Sequence, residues 1–72
     1  VEMKINTPHI ELEEDFSKIK MLSEVTDTNE INILIHKNGS VIVQILEKGK
    51  NESLIWSNKN IKNNNGKINF ED

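Results

Sequence analysis

An Asn-Gly pair between two runs of Ile and Val constrains this chain more than any other feature in it. The stretch is Ile31-Asn32-Ile33-Leu34-Ile35-His36-Lys37-Asn38-Gly39-Ser40-Val41-Ile42-Val43-Gln44-Ile45-Leu46. β-branched side chains suit a pleated strand, and Asn-Gly supplies the backbone angles of a tight turn, so residues 31–46 read as a β-hairpin. Two registers compete. A turn confined to Asn38-Gly39 sets Ile35 against Ile42 and Ile33 against Gln44. A longer loop, with a turn over His36 to Gly39 and a left-handed Gly39 in a bulge, sets Ile35 against Val41, Ile33 against Val43 and Ile31 against Ile45. Side chains alternate between faces, so this slip regroups all of them. Only the second register gathers Ile31, Ile33, Ile35, Val41, Val43 and Ile45 on one face without a polar residue. It is the expected one, with that face as core. The opposite face mixes Asn32, His36, Ser40 and Gln44 with Leu34, Ile42 and Leu46. Those three apolar residues are the first candidates for a partner-binding surface.

The flanks supply further elements. Val1, Met3 and Ile5 alternate with polar residues, which predicts a first strand. Leu12, Phe16, Ile19 and Leu22 are spaced four, three and three. With Glu13, Glu14 and Asp15 in a first turn, where the helix dipole favours acids, this predicts a helix over about 13–25. Phe16, Ile19 and Leu22 would lie on the hairpin's six-residue face. Residues 53–57 read as a third strand in one of two registers, one grouping Leu54 and Trp56 on that same face and the next placing Ile55 there; the larger area buried favours the first. A second Asn-Gly pair, Asn65-Gly66, predicts a closing hairpin with Ile61 opposite Phe70. The expected fold is α+β: a single domain, 1–72, with one helix packed on a four- to five-stranded antiparallel sheet, mostly a meander.

Size and composition narrow the function. A chain of 72 residues without cysteine has no disulfide to support a small core. It needs nearly all its apolar residues buried, or a partner to cover them. The absence of cysteine slightly favours a cytoplasmic setting. No apolar run approaches the ~20 residues of a membrane span. Net charge is −3, unevenly spread. Residues 1–30 carry eight acids and three lysines, and residues 31–72 carry four acids and six lysines.

Candidate chemistry is sparse. His9, Glu11 and Glu13 recur every second residue, as metal ligands on a strand would, but lack a convincing fourth ligand. They read as a solvated edge, and His36 reads as a turn residue. Neighbouring acids on a helix diverge, so Glu11, Glu13, Glu14 and Asp15 suit an acidic docking patch better than a catalytic pair. No catalytic constellation, cofactor motif or metal site emerges, and the chain is not expected to be an enzyme. The expected function is a non-catalytic protein-interaction module, partnered by another protein or by itself. Its expected contact residues are Leu34, Ile42, Leu46, Glu11, Glu13, Glu14 and Asp15. The alternative is weak single-stranded nucleic-acid binding, with Trp56 as a stacking platform and Lys48, Lys50, Lys59, Lys62 and Lys67 around it. Against it stand the absence of arginine and the acidic net charge.

Overall fold

The computed structural model describes residues 1–12, 16–64 and 66–70, with the backbone alone at Leu12, Phe16 and Phe70. The central hairpin forms in the expected register. Ile35 pairs with Val41, Ile33 with Val43 and Ile31 with Ile45. The Gly39 N–H donates to the His36 carbonyl at 2.9 Å, and the His36 N–H donates to the Ser40 carbonyl at 2.8 Å. Gly39 has φ +91°, a conformation that side chains disfavour, which is why glycine closes this loop.

Around the hairpin the chain is strand after strand. In order these are β1 (Glu2–Ile5), β2 (Glu11–Leu12), β3 (Ile19–Val25), β4 (Asn29–His36), β5 (Val41–Glu47), β6 (Ser53–Ser57), β7 (Ile61–Asn64) and β8 (Lys67–Phe70). A five-stranded antiparallel sheet has the order β1-β6-β5-β4-β3. Its β3 to β6 form a meander, and β1 closes the far edge beside β6. A small second sheet has the order β2-β8-β7, with β2 parallel to β8. Its β7–β8 hairpin sets Ile61 opposite Phe70, as the second Asn-Gly pair predicts.

The α+β expectation is overturned. No α-helix occurs among the described residues, and no helix packs on the sheet. Residues 13–15 lie outside the described residues. Phe16–Lys18 form one 3-10 turn, and Ile19–Val25 form a seven-residue strand in place of the predicted helix. Two physical reasons account for this. The same residues also alternate: Lys20, Leu22 and Glu24 on one face, Ile19, Met21, Ser23 and Val25 on the other. The far side of β4 also offers a full ladder, which β3 occupies from Ile19–His36 to Val25–Glu30. Tertiary pairing of this extent overrides a weak helical spacing. Thr26 fixes the connecting turn, its Oγ1 accepting from the Asn29 N–H at 2.9 Å and the Thr28 N–H at 3.3 Å.

The core lies on the opposite side of the hairpin from the one expected. Ile5, Leu34, Ile42, Ile55 and Ile68 form the buried cluster, with Met3, Ile10, Ile19 and Ile61 packed against it. Ile68 of β8 and Ile61 of β7 come from the small sheet, which covers this inner face. Gln44 is buried there too and is fully engaged. Its Nε2 donates to the Pro8 carbonyl at 3.0 Å and to Ser53 Oγ at 3.1 Å, and its Oε1 accepts from Asn32 Nδ2 at 3.0 Å. The amide thus ties the Thr7–Ile10 segment to the sheet while satisfying its own polar atoms. No helix of the chain is long and apolar enough to cross a membrane, among the described residues.

Candidate functional site

The residues expected to bind a partner fall into different places. Leu34 and Ile42 are 3% and 0% exposed, in the core, and Leu34 also lines the cleft on the inner side. Leu46 is half-buried on the same inner face, and Glu11 is exposed on β2. Glu13, Glu14 and Asp15 lie outside the described residues. Among the described residues no group of three or more His, Cys, Asp or Glu could hold a metal ion.

What the fold brings together is the other face of the five-stranded sheet. The pairings define three rows running across the strands. In the middle row Leu22, Ile33, Val43 and Trp56 lie side by side, ending at Glu2. Above it Ile31, Ile45 and Leu54 run between Glu24 at the β3 edge and Lys4 at the β1 edge. Below it Ile35 and Val41 follow Lys20. The six β-branched residues grouped by the sequence are therefore grouped in the molecule, and Leu54 and Trp56 join them as expected. Yet they face outward, with no described layer over them. Leu22, Leu54 and Trp56 are 48%, 42% and 42% exposed. The rest are half-buried, or barely exposed in the case of Ile35 and Ile45, chiefly because they crowd one another.

This is an unusual surface for a small chain. At ~4.8 Å between strands and ~6.8 Å between rows, its nine positions cover about 300 Å² in projection. Scattered surface apolars need no explanation, whereas a contiguous patch of this size is comparable with the largest patch on a typical monomer, which is often functional. Charges confine it at both edges. Glu2 and Lys4 stand on β1, and Lys20 and Glu24 on β3. Lys4 Nζ lies 2.9 Å from Glu52 Oε1. The hydrogen bond and charge of Glu52 hold the ammonium above its ordinary value of 10.5. The pair therefore contributes below that pH and fades as pH rises beyond it.

The inner side carries one cleft of about 320 Å³, between the Thr7–Ile10 segment and the β3 edge. His9, Ile10, Met21, Asn32 and Gln44 are among its walls. Its two amides already serve internal bonds, since Asn32 Nδ2 donates to Glu30 Oε2 and to Gln44 Oε1. A site that must orient a small substrate needs polar groups aimed into it, and this one offers few.

Sequence reasoning found the members of the outer patch but placed them inside. The available warning was Ser53 and Ser57 alternating with Ile55, which puts two small residues on the inner face of β6. Small residues are what a close covering layer requires. Comparison with family models, with curated proteins and with solved structures finds no match to this chain.

Proposed function

We propose that this chain is a non-catalytic protein-interaction module, and that the outer face of its five-stranded sheet is the contact surface. One observation carries the reading: nine apolar side chains, Trp56 among them, lie contiguous on one face with none of the described residues over them. Leaving that surface in water costs roughly 25 cal/mol per Å² relative to covering it, several kcal/mol in all. A large aromatic amid aliphatic neighbours, rimmed by charge, is also the composition of interface centres. The test is capture on the immobilised chain, with Val43→Glu as comparator. Val43 is central on the face and away from the core, so the variant keeps its strand content by circular dichroism. A protein ligand, this chain included, retained by the wild type and lost by the variant supports the reading. Equal retention by both, or none by either, removes it.

A second reading, single-stranded nucleic-acid binding, has one specific observation in its favour, the 42% exposure of Trp56. Its neighbours weaken it. Glu2 is the cross-strand partner of Trp56, and an acid beside the ring repels a phosphate backbone. Salt-dependent quenching of Trp56 fluorescence by a single-stranded oligonucleotide would favour this reading over the first.

A further inference from the structure

We propose that the outer face is covered by a second copy of the chain, packed sheet to sheet about a two-fold axis running along the strands. The inference rests on reading that face as a protein interface and names the partner.

Charge supplies the first argument. On the two edge strands the rim residues Glu2, Lys4, Lys20 and Glu24 sum to zero, while Glu47 and Glu52, beside Ile45 and Leu54, add two acids at one end of the patch. The edge strands complement each other at one row. A two-fold along the strands lays the β1 edge of one copy over the β3 edge of the other. Lys4 and Glu24 end the same row. The operation therefore brings Lys4 over the partner copy's Glu24, and the symmetric contact repeats it. A two-fold across the strands would set Lys20 over the partner copy's Glu24 but stack Glu2 on its own copy at the edge, a like-charge contact that the first axis avoids. Most apolar positions also match under it, although Glu2 at the end of the middle row falls over the partner copy's Leu22. Val43 meets its own copy at the centre, Trp56 meets Ile33, and Leu54 meets Ile31.

Area supplies the second argument. Specific interfaces begin near 600 Å² of accessible surface per partner. A face of about 300 Å² in projection, studded with Trp, Leu and Ile side chains, presents accessible surface of that order once its charged rim is included. Two twisted antiparallel sheets stack about 10 Å apart with strands nearly aligned, which is the geometry required here. The result is a β-sandwich completed between two chains, with the small sheets outermost.

Sedimentation equilibrium at low salt, over rising concentration, tests this. The wild type should reach twice 8.3 kDa. Val43→Glu, which opposes itself at the axis, should stay monomeric. Lys4→Glu and Glu24→Lys each turn two attractive contacts repulsive and should weaken association about tenfold. Mixing these two variants in equal amounts should restore it, because the mixed dimer again sets acid against base at both ends. Circular dichroism of each variant at low concentration checks the monomer's fold. A wild type that remains at 8.3 kDa overturns the proposal. If Val43-dependent capture of a different protein persists in that case, the interaction reading survives alone. A dimer whose two variants are not rescued by mixing also overturns it.

Discussion

Ser40 Oγ is buried, on a residue 1% exposed, and has no hydrogen-bond partner among the described residues. A hydroxyl withdrawn from water without replacement costs about 1–3 kcal/mol. Ser40→Ala removes the cost and leaves the Ser40 N–H bonded to Asn38 Oδ1 at 2.8 Å. Thermal unfolding of Ser40→Ala should therefore occur at an unchanged or higher temperature than wild type, and a clear drop would show a partner for this hydroxyl. Gly66 is the opposite case. Its φ is +87°, and an added Cβ would stand 2.8 Å from Thr7 Oγ1. Its carbonyl also receives the Glu11 N–H at 2.8 Å, the link between the β7–β8 turn and β2. Gly66→Ala combines backbone strain of about 1–2 kcal/mol with that contact. It should lower stability by at least this amount and speed amide exchange at Glu11. Little of this was legible in the sequence. Gln44 shows why: its partners Pro8, Asn32 and Ser53 are supplied by distant segments, so a polar residue that argues locally for solvent is a core residue in the molecule.

At the scale of elements, β6 separates the two faces within five residues. Ser53, Ile55 and Ser57 point inward and are buried, while Leu54 and Trp56 point outward. Ile55→Ala deletes a side chain with no exposed surface and should cost about 2–5 kcal/mol. A chain of this length has about 4–11 kcal/mol in total, so the variant should lose roughly half of its stability. Leu54→Ser, one residue away, should cost under about 1 kcal/mol in the isolated chain. Urea denaturation of the pair decides the matter, and equal losses would contradict the assignment of faces. Pairing was the readable part of the fold. Asn38-Gly39 and Asn65-Gly66 set loop length, and loop length sets register, so Ile35–Val41 and Ile61–Phe70 followed from local chemistry. Sidedness was not readable, because both faces of β4 and β5 carry large aliphatics. The deciding contacts come from Ile5, Ile55 and Ile68, which no local pattern joins to the hairpin. The helix expectation failed for a related reason. Met21 and Leu22 are adjacent, so residues 19–25 fit a period of two and a helical period alike, and the free side of β4 chose between them.

For the whole molecule, the division of apolar surface governs stability. One face of the large sheet is covered by β2, β8 and β7, and the other carries as many large aliphatics with none of the described residues over them. A dimer through that face ties folding to concentration, because unfolding then releases two chains from one native particle. With an unfolding enthalpy near 0.7 kcal/mol per residue, each tenfold rise in concentration should raise Tm by about 5 °C. Val43→Glu should abolish that slope. Its own Tm should match that of the wild type extrapolated to high dilution, since Val43 lies outside the core cluster. Differential scanning calorimetry across two decades of concentration measures both. A wild-type Tm independent of concentration would mean that the monomer holds this sheet without help, and that the outer face awaits a partner of a different kind.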